Sequence, residues 1–148
     1  MDKAAIHATC IQIIDSKIEQ LQKEISELNN SVQSDTKSSA GDKHETSRAM
    51  IQQEIDFANH RLKELKESKT DLNKINPLNS NAKINTGSLI ETNIGTIYFA
   101  LALGKIKYEN AHLNVLSILS PIGALLKEKI IGDKIILNGK EIIIHSIY

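Results

Sequence analysis

"SSAGDKHETSRAM", residues 38–50, holds two carboxylates three residues apart, Asp42 and Glu45, directly after Gly41. Gly, Ser and Asp favour turns, and the segments on either side have a different character. Upstream, His7, Ile11, Ile14, Ile18, Leu21, Ile25, Leu28 and Val32 follow one another in steps of 4, 3, 4, 3, 4, 3 and 4. All but His7 are aliphatic, and the residues between them are mostly Lys, Glu, Gln and Ser. That is the seam of a coiled coil, apolar at positions a and d. Downstream, Ile51, Ile55, Ala58, Leu62, Leu65, Lys69 and Leu72 repeat the steps, with Lys69 as a polar interruption. Two helices joined by a short polar link lie most simply antiparallel, as a hairpin. Arms of about 28 residues extend about 40 Å at 1.5 Å per residue. The pattern predicts a hairpin over residues 1–76 with an acidic tip at 35–45. A larger bundle or a dimer would use the same stripe; a monomer is the expectation here.

The period changes after Leu72. In "NKINPLNSNAKINTG", Pro77 and the Asn and Ser cluster stop the helix, and residues 77–83 read as a linker. From residue 84 to 148 a small β-rich domain is expected. "GSLIETNIGTIYFALAL" has β-rich runs around Asn93–Gly95, which predicts a hairpin, and "HLNVLSIL" reads as another strand. Ser120 is a good N-cap, Pro121 suits the first helical position, and Gly132 suits the position after the last turn, so a helix is expected from Ser120 to Gly132. Asn138-Gly139 between β-branched runs is a strong hairpin signal. The fold class is therefore α+β: an N-terminal antiparallel coiled-coil hairpin, then a small antiparallel β domain with one short helix.

Composition narrows the function. The chain has 148 residues, with 18 Lys plus Arg against 18 Asp plus Glu, so no net field draws it to nucleic acid or membrane. Residues 1–80 carry 11 basic and 13 acidic side chains, and the remainder 7 and 5, too small an asymmetry to name a partner. Cys10 has no second cysteine to pair with, which fits a reducing cytoplasm. No run of about 18 uncharged apolar residues exists to span a bilayer, and the N-terminal residues lack signal-peptide architecture. The five histidines show no metal spacing. His60 and His145 fit surfaces or strand faces, His7 a tolerated polar position on the seam, and Cys10 a small buried apolar group. There is no glycine-rich phosphate loop and no arrangement for nucleophilic catalysis.

Two stretches together carry a resemblance. "SPIGALLKEKIIGDKI" resembles the Ser-Pro-Ile-(Gly/Ala)…Leu…Gly-Asp signature of the Gre transcription elongation factors through Ser120, Pro121, Ile122, Gly123, Leu125, Leu126, Gly132 and Asp133. Gly41, Asp42 and Glu45 reproduce the Gly-Asp-x-x-Glu of the family's coiled-coil tip. The resemblance runs in order along nearly the whole chain. It implies a C-terminal domain similar to FKBP prolyl isomerases, bound to bacterial RNA polymerase through Ser120, Pro121, Ile122, Gly123, Gly132 and Asp133. It further implies a coiled coil inserted in the secondary channel, where Asp42 and Glu45 help hold a catalytic Mg²⁺ ion near the RNA 3′ end. The polymerase then hydrolyses the backtracked transcript; the factor is not itself an enzyme and holds no cofactor of its own. Carboxylates suit that role because Mg²⁺ is a hard cation that usually takes one or two from a protein.

The same residues have plainer readings. Asp-x-x-Glu before a helix is close to a capping box, with Asp42 at the N-cap and Glu45 three residues on. Where the family has Asn-Ala-Glu-Tyr after the acidic pair, this chain has Thr46, Ser47, Arg48 and Ala49. An acid and an aromatic are lost and a base gained, which points to a relative that enters the channel and modulates or inhibits without cleavage. Lys43, His44 and Arg48 could meet phosphates or stay solvated. An FKBP-like isomerase or chaperone would need an aromatic-lined pocket, and the domain offers only Tyr98, Phe99, Tyr108 and Tyr148. A plain coiled-coil adaptor is the remaining alternative.

Overall fold

The computed structural model describes the backbone of residues 1–35 and 41–148, and the side chains of residues 1–34 and 45–148. Two long helices come first, α1 (Lys3–Asp35) and α2 (Gly41–Asn73). They are followed by β1 (Leu89–Thr92), β2 (Gly95–Phe99), β3 (Gly104–Tyr108), β4 (Ala111–Leu116), α3 (Pro121–Leu126), β5 (Lys134–Leu137) and β6 (Lys140–Ile147). The fold is α+β, a helical hairpin and then a mostly antiparallel six-stranded sheet in the order β3-β4-β2-β1-β6-β5. Two compact units result. One is Gln12–Thr70; the other joins Met1–Ile11 to Asp71–Tyr148. None of the described helices is long and apolar enough to cross a membrane.

In the Gln12–Thr70 unit the helices pack antiparallel. Asp15 pairs with Lys69, and Glu24 with Arg61 at 4.0 Å, so partners descend along α2 as they rise along α1. The heptad rhythm sets what is shielded. From Ile14 to Val32 only Ile14, Ile18, Leu21, Ile25, Leu28 and Val32 are buried or half-buried, and every residue between them is exposed. Ile55 and Ala58 supply the buried centre of the facing seam. A fully buried aliphatic side chain stabilises by about 1.5–3 kcal/mol, and here only one stripe per helix contributes. Lys69 is half-buried at its seam position, and its ammonium reaches Asp15.

The other unit is built on the sheet. β1 and β2 form a hairpin with Thr92 opposite Gly95, and the Thr92 hydroxyl donates to the Gly95 carbonyl at 2.8 Å. Asn93 in that turn stitches the hairpin to β6. Its amide donates to the Glu141 carbonyl at 2.9 Å, and its carbonyl oxygen accepts from the Ile143 N–H at 2.7 Å. The second hairpin joins β5 and β6 through Asn138 and Gly139, whose φ angles of 51° and 76° are those of a type I′ turn.

Two features differ from the sequence reading of an antiparallel domain. β2 and β4 pair in parallel, Ile97 opposite Asn114 and Phe99 opposite Leu116. β3, which the sequence reading passed over, follows β2 in the chain, takes the sheet edge beyond β4 and pairs antiparallel with it. The bulge between Glu91 and Thr92 in the β1–β6 register then lets Ile144 and Ile147 both join the core.

Both faces of the sheet are covered. On one face Ile90, Ile97, Phe99, Ile135, Ile142 and Ile144 cluster with Leu126 of α3 and with Ile84. The opposite face carries Leu89, Tyr98, Val115, Leu113 and Ile106, paired across β1, β2, β4 and β3 and all buried. His7 of α1 meets Tyr98 on that second face, and its helical neighbours Ile6 and Cys10 are fully buried.

The short helix α3 ends earlier than its sequence suggests. Lys127, not Gly132, closes it, and the Lys127 N–H donates to the Gly123 carbonyl. The cause is tertiary. Ile84 takes over the backbone of the next residues, accepting from Glu128 N–H at 2.8 Å and donating to the Lys129 carbonyl at 2.9 Å. Gly132 keeps a left-handed φ of 89°, but in the turn that enters β5.

Candidate partner-binding surfaces

The sequence singled out the hairpin turn and the Ser120–Asp133 stretch. Each lies within its own compact unit.

At the turn, α2 already begins at Gly41. Glu45 therefore stands near the start of that helix rather than in a loop, and it is exposed. A carboxylate near a helix N-terminus interacts favourably with the helix dipole. The Asp42 side chain lies outside the described residues, as do those of Lys43 and His44. Arg48, one turn on from Glu45, is exposed. Among the described residues no group of three or more His, Cys, Asp or Glu could hold a metal ion.

The Ser120–Asp133 stretch is brought together at one side of the sheet unit, and each residue has a definable job. The Ser120 hydroxyl accepts from the Gly123 N–H at 3.1 Å, capping α3, and Pro121 occupies its first turn. Ile122 packs against the core. Gly123 is a steric requirement: a Cβ there would sit 2.5 Å from the Ile118 carbonyl oxygen and 2.6 Å from that of Ser117. The Asp133 carboxylate accepts from the Ile130 N–H at 2.9 Å and closes the turn that holds Gly132. These residues shape the surface; other residues present it.

Those other residues are the ones the sequence reading missed. Leu119 is 85% exposed, Ile136 71%, Ile131 59%, Ile130 48% and Leu125 41%. Single exposed aliphatic residues are ordinary, but these five interleave with the Ser120–Asp133 stretch and with the strand after it. The signal was legible in part. Ile130-Ile131 stands directly before a Gly-Asp turn, where chain reversal limits burial.

The fully buried aromatics bear on a different chemistry. Tyr98 and Phe99 have no exposed surface and, as neighbours in one strand, point to opposite faces. Neither can line an open apolar pocket. Burial pushes the Cys10 thiol up to about 11, so at neutral pH it stays a protonated, buried thiol. Burial also raises the Tyr98 phenol and lowers His7 and Lys3. Lys3 reaches the carbonyl oxygens of Asn79 and Gly87, the latter at 3.2 Å.

No family model, no curated protein and no solved structure matches this chain.

Proposed function

We propose that this protein is a Gre-type factor: it binds RNA polymerase, passes its helical hairpin into the secondary channel, and promotes hydrolysis of backtracked RNA. The observation that carries the reading is the exposed Glu45 carboxylate at the head of α2 in the Gly41-Asp42-x-x-Glu45 pattern, at the turn of a helical hairpin whose chain continues into an α+β sheet unit. Within this reading the sheet unit is FKBP-like and serves as the polymerase anchor through the Ser120–Asp133 surface. Asp42 and Glu45 supply oxygen donors of the kind Mg²⁺ takes, and the polymerase and water supply the remainder of its shell. Asp42 and Glu45 would help hold that ion, and it would supply water activation and stabilisation of the departing oxygen. The chain's own residues orient and hold; they do not cleave.

Burial of Tyr98 and Phe99 argues against an isomerase pocket and supports the anchoring role for the sheet unit. A second reading is favoured by one residue. Arg48 is exposed where the family tip has an acid, and a cation there suits phosphate contact rather than metal holding. In that reading the protein occupies the channel and blocks it.

Binding is the first test. The purified chain is titrated onto bacterial core RNA polymerase with a labelled Cys10-free variant, and competition is measured with unlabelled protein. Saturable binding supports both readings. Absence of binding up to tens of micromolar contradicts both.

A further inference from the structure

The sheet has two edges, β3 and β5, and they are finished differently. In the β3–β4 hairpin Tyr108 pairs with Ala111 across a two-residue turn. Hydrogen-bonded pairs alternate along such a ladder, so Lys105 and Lys107 turn their N–H and C=O groups away from β4. Both lysines are exposed. Lysine on an outer strand is a common protection against another strand pairing there.

At β5 the outward positions are Lys134 and Ile136. Leu137 opposite Lys140 and Ile135 opposite Ile142 are the mutually bonded pairs, and the Ile144 N–H bond to the Asp133 carbonyl continues the alternation. Among the described residues, no backbone hydrogen bond is made on the outer side of Lys134 or Ile136. Lys134 is held back towards Glu141 at 3.1 Å. Ile136 is 71% exposed, and Ile131, just before the strand, is 59% exposed. One edge is guarded by two exposed lysines; the other offers open amides beside apolar side chains.

The charge around β5 indicates what fits. Glu141 is taken by Lys134, and Glu128 by Lys83 at 3.6 Å. Lys127 and Lys129 before the strand, and Lys140 just after it, have no acidic partner among the described residues. The geometry points to β5 as a docking edge for an extended segment of a partner protein, added as a seventh strand. That segment places β-branched or aromatic residues over Ile136 and Ile131, and carries Asp or Glu at its ends to meet Lys127, Lys129 and Lys140. Main-chain bonds supply affinity in such strand addition, while alternate side chains and end charges supply selectivity. A second copy of this chain suits the edge poorly, because two-fold pairing of β5 would set the same lysines against themselves. This edge adjoins the Ser120–Asp133 surface of the polymerase reading and shares Lys127, Lys129 and Ile131 with it, but the inference does not rest on that reading, and cleavage activity does not bear on it.

The test is selection of random decapeptides by display against the full chain, run in parallel against Ile136→Pro. Proline removes the outward N–H of residue 136 without touching the β5–β6 ladder. Ile136→Lys serves as the second variant, and both are checked by thermal melting. The expected result is enrichment of alternating β-branched peptides flanked by acids. Their affinity falls at least tenfold with either variant and weakens with added salt, while Lys107→Pro at the other edge leaves it unchanged. In the bound state the Lys134 and Ile136 amides gain protection from hydrogen exchange. No enrichment, equal enrichment on a folded Ile136 variant, or enrichment of basic peptides overturns the proposal. So does self-association of the free chain that Ile136→Lys abolishes, which would make a second copy the occupant.

Discussion

The Nδ1 of His7 lies 2.8 Å from the Tyr98 hydroxyl, and both groups are buried although 91 residues separate them. The rings meet edge to face, 6.1 Å between centroids. A heptad position that looks merely imperfect in the sequence is therefore the point where the first turns of α1 attach to the sheet. Removing one partner leaves the other buried and unsatisfied, at a cost of about 1–3 kcal/mol. His7→Leu and Tyr98→Phe should each destabilise by that order in urea unfolding. The double variant should lose less than the sum, because the orphaned polar atom goes with its partner. Simple additivity would show that the bond is not what couples the two positions.

Acid should weaken the same attachment. Burial lowers the His7 pKa, so the folded chain favours the neutral ring. As pH falls below about 6.5, the ordinary histidine value, the unfolded chain takes up protons first and stability drops. The loss continues until the folded imidazole also titrates. Compared between pH 7 and 5, the His7→Leu variant should show a shallower decline than the parent. Parallel curves would contradict the assignment.

Gly123→Ala should be the most damaging single methyl in the Ser120–Asp133 stretch. The added carbon would approach two backbone carbonyls within 2.6 Å, and backbone cannot yield as a flexible side chain does. Overpacking of this kind costs about 1–3 kcal/mol, occasionally more. Ser120→Ala removes only the cap and should cost about 1 kcal/mol. Chemical denaturation of the two variants gives the order directly; equal losses would contradict the steric account.

Lys69→Leu should be tolerated or slightly stabilising. The Lys69–Asp15 pair is about two-fifths exposed, and exposed ion pairs contribute about 0–1 kcal/mol, while leucine would complete the seam. A loss beyond 1 kcal/mol on thermal melting would show that the pair is worth more than its exposure suggests.

How much of this was legible in the sequence depends on the residue. The seam from Ile14 to Val32 was fully so, because a period of 3.5 specifies which side of a helix is shielded. The Asn138-Gly139 hairpin and the Ser120-Pro121 helix start were legible for equally local reasons. β3 was not. Its turn uses Glu109, which adopts a φ of 53° without the glycine that normally announces it, and Lys105 and Lys107 make the strand read as polar. The early end of α3 was hidden as well, because Ile84, far away in sequence, decides it. Likewise His7 reads as a tolerated polar seam residue until Tyr98 of β2 supplies its partner. At the candidate site the acids were visible as a pattern, while of the exposed apolar set from Leu119 to Ile136 only Ile130-Ile131 gave a local signal; the others emerge once the strands fix which side chains face outward.

The central claim is that Asp42 and Glu45 act on the RNA polymerase reaction. Asp42→Asn with Glu45→Gln keeps their shape and most capping capacity while removing two charges, and a neutral amide is a poorer Mg²⁺ ligand than a carboxylate. The decisive measurement is release of short RNA from backtracked elongation complexes, with polymerase binding measured on the same preparations. The account predicts that the parent chain stimulates release and that the double variant binds equally but loses stimulation at least tenfold. Undiminished release by a folded, bound double variant would contradict it.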